Sequence, residues 1–166
     1  MKACFIGHTS VEKTEQLISS LKETVLNLIH KGFDVFLFGS KSEFDNLSWD
    51  VVTELRNEYP YIKRVYVRAA FQYIDKFYEE YLLNFYEETY YPKKVEKVGK
   101  CSYIERNYDM IDNSTCCVFY YNENYIVPLK QSKNETLLPA KMRNSGTEIA
   151  YKYAIKKEKQ IINLYR

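Results

Sequence analysis

Residues 2–39 read "KACFIGHTSVEKTEQLISSLKETVLNLIHKGFDVFLFG". The opening run, residues 2–7, is short and apolar and closes on Gly7, which is the pattern of a strand buried on both faces. A helical stretch follows, with Leu17, Ile18, Leu21, Val25, Leu28 and Ile29 spaced to share one face. Thr9 and Glu12 have capping-box spacing, and Gly32 is a natural stop. Residues 33–39 form a second apolar run, again ending in Gly. Strand, helix, strand in under forty residues is the unit of a parallel sheet with crossover helices.

The unit repeats outward. "FDNLSWDVVTELRNEYP" (44–60) places Leu47, Val51 and Leu55 on an inner face and ends at Pro60. "IKRVYVRA" (62–69) reads as a third strand. Residues 71–91 are expected to be helical, with Ile74, Phe77, Tyr81 and Phe85 inward, followed by a Lys-rich loop between Pro92 and Gly99. "YIERNYDMIDNS" (103–114) predicts a helix, and "TCCVFYYN" (115–122) a fourth buried strand. Residues 123–144 predict a loop with room for a brief strand or hairpin. A helix over 146–156 and a strand over 159–165 complete the chain. The expected fold is α/β: a Rossmann-like, doubly wound, mostly parallel sheet of about five main strands, with helices on both faces. No repeat or linker interrupts residues 1–166, so one domain is expected.

Composition narrows the function classes. The formal net charge is +2, with Lys and Glu mixed along the chain. This weak, scattered charge argues against nucleic acid as a partner. No apolar run approaches a membrane span, and "MKACFIGHTS" lacks a signal-peptide core, so a cytoplasmic protein is expected. The four cysteines show no CxxC spacing or Cys/His cluster. Buried reduced thiols are expected for Cys4, Cys116 and Cys117, with Cys101 in a loop, and neither a metal nor a cofactor is expected. The 17 tyrosines, with abundant Lys, Asn and Ile, fit a genome of low G+C content. The stretch "YYNENY" (120–125) stands apart because it follows a predicted strand.

In a doubly wound sheet, ligands bind beyond the carboxyl ends of the strands. The residues expected there are Gly7, His8 and Thr9 after the first strand, Gly39 and Ser40 after the second, Arg68 after the third, and Tyr121 and Asn122 after the fourth. Arg143, Asn144, Ser145, Gly146 and Thr147 precede the last helix and return to the same edge. A helix N-terminus with a hydroxyl and exposed amides suits an anion. Tyr121 could stack on a base or pack at the core edge. No GxGxxG or Walker A lysine is present, so neither dinucleotide fingerprint nor P-loop is supported.

Four stretches together carry a family resemblance: "CFIGH", "FGSKSEFDNLSWDVVTELRNEYPYIKRVYV", "ERNYDMIDNSTCCVFYYN" and "RNSGTEIAYKYAIKK". In this order they resemble the SLOG superfamily, in its YpsA-like (DUF1273) branch. The superfamily is related to the Lonely Guy phosphoribohydrolases and the lysine-decarboxylase-like proteins. The resemblance implies a Rossmannoid fold and a bacterial or phage ligand-sensing role, with NAD-derived signals among the ligands. In the enzymes, a helix Arg is followed by a strand, a Gly-Gly-x-Gly-Thr phosphate loop and a catalytic Glu. Arg106 looks like the helix Arg, and residues 144–147 like the second half of the loop. The Pro-Gly-Gly that should precede is missing. The position of the catalytic Glu is Ile149, and Glu148 lies one residue early, which turns a helical side chain by about 100°.

The expected function is therefore binding, for sensing or sequestration, of a nucleotide or nucleotide-derived phosphorylated ligand such as an ADP-ribose or NAD-type molecule. One alternative is an N-glycosidic bond-cleaving enzyme in which His8, Glu148 or Asp112 replaces the missing acid, with Arg106 as a further catalytic candidate. Another is an interaction module with a vestigial pocket. The aromatic segment 71–91 carries more rings than one buried face needs and suggests a homo-oligomer.

Overall fold

The computed structural model describes residues 1–39, 42–125 and 145–165. Six strands form one sheet: β1 (Lys2–Gly7), β2 (Val35–Phe38), β3 (Lys63–Val67), β4 (Glu88–Tyr90), β5 (Cys116–Tyr120) and β6 (Gln160–Asn163). Five helices connect them: α1 (Glu15–His30), α2 (Glu43–Arg56), α3 (Lys76–Leu83), α4 (Lys100–Asp112) and α5 (Gly146–Lys156). The strand order is β4-β3-β2-β1-β5-β6, and every pairing is parallel. The expected doubly wound sheet is observed, with one strand more than the sequence suggested.

Alternation along β1 shows how the core divides. Ala3 and Phe5 join the cluster that packs on α1 and α2, including Phe36, Phe38, Leu21 and Val52. Cys4 and Ile6 point the other way, into the cluster of Met110, Ile111, Phe119, Ala150 and Ala154 under α4 and α5. Both faces are therefore buried, which is why the strands read as continuous apolar runs rather than as alternating ones. On α1, Leu17, Leu21, Val25, Leu28 and Ile29 are buried. Each contributes roughly 1.5–3 kcal/mol by leaving water.

Several expectations need correction. Helix α1 begins at Glu15 and is capped by Thr14, whose side chain accepts from the Leu17 amide. The Thr9–Glu12 spacing is not used, because residues 9–11 are held by α2: the Glu43 amide donates to the Thr9 carbonyl, and the Val11 amide donates to the Glu43 carboxylate. Ile18 is exposed. The expected helix over 71–91 shrinks to the eight residues of α3, and an unforeseen edge strand, β4, follows it. Phe77, Tyr81 and Phe85, expected to face inward, are exposed. Cys101 lies on α4 rather than in a loop. Cys4, Cys116 and Cys117 are buried free thiols. Burial pushes the Cys116 thiol up to about 12. The expected hairpin after residue 125 lies outside the described residues.

Candidate functional site

The strand order reverses between β1 and β5. The chain builds outward from β1 through β2 and β3 to β4, then crosses back to place β5 on the other side of β1. The carboxyl ends of β1 and β5 thus border the crevice where a doubly wound sheet takes its ligand.

His8 continues the Cys4–Ile6 alternation and so stands on the α4/α5 face of this crevice. It is 1% exposed. Its Nε2 accepts from the Asn122 amide at 2.9 Å and lies 3.2 Å from the Asn122 carbonyl oxygen. The Tyr125 ring stacks on the imidazole, with centroids 3.8 Å apart and planes 12° apart. An accepting Nε2 places the proton of the neutral ring on Nδ1. Among the described residues, Nδ1 is buried without a partner, as is the Tyr125 hydroxyl. Burial lowers the His8 pKa from its ordinary 6.5; the protonated ring would donate from Nε2 to the Asn122 carbonyl, which offsets this only in part. Burial thus favours the neutral form of the His8 ring, and among the described residues one of its nitrogens is uncommitted.

Tyr121 lies at the β5 end of the crevice. The Asn163 side chain fixes its backbone, accepting from the Tyr121 amide and donating to the Tyr121 carbonyl, both at 2.9 Å. Its ring stacks on Tyr151 of α5 at 4.5 Å and sits 5.9 Å from His8. The N-terminus of α5 is thus drawn to the same rim. Ser145 caps it, accepting from the Glu148 amide at 3.0 Å, and Thr147 is buried. Among the described residues, none accepts from the Gly146 or Thr147 amide. Glu148 pairs with Lys152 at 2.6 Å.

The opposite flank belongs to Arg106. Its guanidinium is buried and donates to the Gly39 carbonyl and, at 3.5 Å, to the Val67 carbonyl; its Nε donates to the Asn107 side chain at 3.0 Å. Burial lowers its pKa, and Asp45, Tyr66 and Tyr103 act in the other direction. Asp45 accepts from the Gly39 amide at 3.1 Å. A side chain on Gly39 would occupy the space of this guanidinium, and one on Gly7 would meet Phe44 of α2. Both glycines therefore admit the chain's own groups, close to the backbone.

Two expected residues stand away from the crevice. Arg68 donates to the Phe71 and Gln72 carbonyls and lies over the Tyr91 ring, shaping the turn beyond β3. Asp112 ends α4 beside the start of β5, on the opposite rim, where Tyr153, Lys94 and Lys157 hold it. The residues Ser40, Arg143 and Asn144 lie outside the described residues. Tyr125, Tyr151 and Asn163 join the site unpredicted; only the "YYNENY" stretch hinted at the first. Among the described residues, no group of three or more His, Cys, Asp or Glu could hold a metal ion, and no helix is long and apolar enough to cross a membrane.

A parallel sheet of this order, with helices on both faces, defines a Rossmann-like α/β protein. Residues 6–155 match the family model YpsA, described as the YspA SLOG family, and the chain belongs to that family. No curated protein matches it. Among solved structures it is similar to DNA processing protein A from Helicobacter pylori, described for its single-stranded DNA binding mode. That likeness has a TM-score of 0.58 and 16% identity, and covers 97% of this chain and 63% of the other. The chain thus spans less than two thirds of that protein, and the likeness is one of fold. It also corrects the expectation drawn from charge. A protein of this fold binds single-stranded DNA, so a weak net charge does not set nucleic acid aside as a partner.

Proposed function

We propose that this chain binds a nucleotide or nucleotide-derived phosphorylated ligand at the β1/β5 crevice, as a sensing or sequestering protein of the cytoplasm. An ADP-ribose or NAD-type molecule is the ligand type considered first. Family membership and the fold shared with a DNA-binding protein support nucleotide- or DNA-related binding. The observation that carries the reading is His8, buried at the reversal of strand order with Nδ1 unpartnered among the described residues. A buried polar atom without a partner costs about 1–3 kcal/mol, and a ligand acceptor would recover that cost. The α5 N-terminus, with the amides of Gly146 and Thr147, offers a seat for phosphate on the same rim.

Glu148 sits in an ion pair with Lys152, and Asp112 lies on the far rim. Neither placement provides a free carboxylate in the crevice, which supports binding over N-glycosidic cleavage.

Thermal unfolding with AMP, ADP-ribose, NAD, a cyclic dinucleotide and a short single-stranded DNA tests the proposal. A ligand at one hundred times its Kd adds about 2.7 kcal/mol to the folded state. At least one nucleotide is expected to raise the Tm, with the gain reduced in Thr147→Ala and His8→Gln. No rise with any of them would overturn the reading.

A further inference from the structure

His8 is 1% exposed, so no ligand reaches its ring while its neighbours stay in place. Two tyrosine rings lie beside it. Tyr125 is nearly parallel to the imidazole, with 3.8 Å between centroids and 12° between planes. Tyr121 is tilted by 39° at 5.9 Å. The crevice opens onto His8 only when a covering group moves.

Tyr121 is the firmer of the two. It directly follows β5, the Asn163 side chain holds its backbone in both directions, and its ring stacks on Tyr151 at 4.5 Å. Tyr125 lies outside the helices and strands, in a turn built on Asn122. Its amide donates to the Asn122 carbonyl at 3.1 Å, and the Asn124 amide donates to the Asn122 side chain at 2.8 Å. Glu123 and Asn124 are exposed, so this turn can swing without uncovering the core. Among the described residues, the Tyr125 ring stacks on His8 alone, and its hydroxyl is buried without a partner. Leaving a hydroxyl unpaired costs at least as much as one ring stack contributes, so this contact holds Tyr125 weakly. Once the ring swings out, water pairs the hydroxyl.

A flat ring laid parallel on another is also how a nucleobase sits on an aromatic side chain. We infer that Tyr125 stands where the base of the ligand goes, and that the base displaces Tyr125 and stacks on His8 in its stead. The stack takes the face of the imidazole. Nδ1–H, in the ring plane, is left for an acceptor elsewhere on the ligand, such as a sugar hydroxyl. Tyr125 is thus a specificity residue. A ligand with a flat base both expels the ring and replaces the stack, and a base-free sugar phosphate does neither. This inference rests on the nucleotide reading above and names the subsite for its base.

Calorimetric titration of the full chain with AMP, ADP-ribose and NAD, and with base-free ribose 5-phosphate, tests it. Tyr125→Ala removes the competing ring and is expected to tighten at least one of these nucleotides about tenfold, by raising the fraction of open crevices. Tyr125→Phe keeps the ring and loses the unpaired hydroxyl, so it favours the closed form and should weaken the same nucleotide about threefold or more. This variant is close in shape to the wild type and decides the matter even if Tyr125→Ala fails to fold. Ribose 5-phosphate should not distinguish the three proteins. A nucleotide that binds Tyr125→Ala no more tightly than the wild type, or Tyr125→Phe no more weakly, would overturn the inference and leave the nucleotide reading standing. So would ribose 5-phosphate gaining as much as the nucleotide does from Tyr125→Ala. If no nucleotide binds any of the three proteins, the nucleotide reading itself falls, and this inference with it.

Discussion

The two rims of the sheet use polar residues in opposite ways. At the amino-end rim, Asp112 has its charge answered from several directions: Lys94, Lys157 and the Tyr153 hydroxyl meet its carboxylate, and Lys159 donates to the Asp112 and Ser114 carbonyls. At the carboxyl-end rim, His8 is more deeply buried and less well answered, with Nδ1 and the neighbouring Tyr125 hydroxyl unpartnered among the described residues. Arg106, on the same rim, spends its guanidinium on strand-end carbonyls. The amino-end rim leaves one buried group, the Ser114 hydroxyl, without a partner among the described residues, and the carboxyl-end rim leaves more: His8 Nδ1, the Tyr125 hydroxyl and Arg68 Nε.

If Arg106 plugs the carboxyl-end rim, its loss should have the largest effect. Arg106→Ala strips donors from the Gly39 and Val67 carbonyls and leaves a void. It is expected to cost about 3 kcal/mol or more in urea unfolding. A cost under about 1 kcal/mol would mean that water replaces the guanidinium freely. Gly7→Ala comes next. Its new Cβ would lie 2.5 Å from the Phe44 Cβ, so a loss of about 1–3 kcal/mol is expected from overpacking.

His8 sharpens the contrast through pH. Its folded pKa is lowered, so below its ordinary 6.5 the unfolded chain takes up a proton that the folded chain refuses. Its share of stability is therefore complete above pH 6.5 and declines as pH falls through that value, by at most about 1.4 kcal/mol per pH unit. His8→Gln should flatten the slope just below pH 6.5, as read by unfolding at a series of pH values. The smallest effect belongs to the amino-end rim. Burial alone would raise the Asp112 pKa, but the hydrogen bonds from Lys94 and Tyr153, with Lys157, outweigh it and leave it lowered. Asp112→Asn should cost no more than about 1 kcal/mol and leave ligand response intact. The stability lost should be that present near neutral pH, since in the wild type it disappears as pH falls below the ordinary carboxylate value.

Much of this was legible in the chain. The apolar runs of β1, β2, β3 and β5 announced a sheet covered on both sides, and their ends marked Gly7, His8, Tyr121 and Asn122. The strand β4 was not legible. Three residues, "ETY", follow a run of aromatics with helical spacing, and an edge strand this short carries no pattern of its own. The same run suggested an inward face on α3, because periodicity reports a stripe without saying what covers it. Thr9 lost the cap of α1 to Thr14 because α2 claims the Thr9 carbonyl, a contact over thirty residues away. Tyr125, Tyr151 and Asn163 reach the crevice through distant contacts, and in so tyrosine-rich a chain a single Tyr gives little signal.

The claim at the centre is that the crevice between β1 and β5 receives the ligand at His8. Nitrogen-15 NMR of the imidazole during titration with ADP-ribose, or with whichever nucleotide raises the Tm, tests it most directly. The account predicts that the His8 Nδ1 resonance moves in step with saturation while His30, on α1, stays still. Saturable binding that leaves the His8 nitrogens unmoved would contradict it.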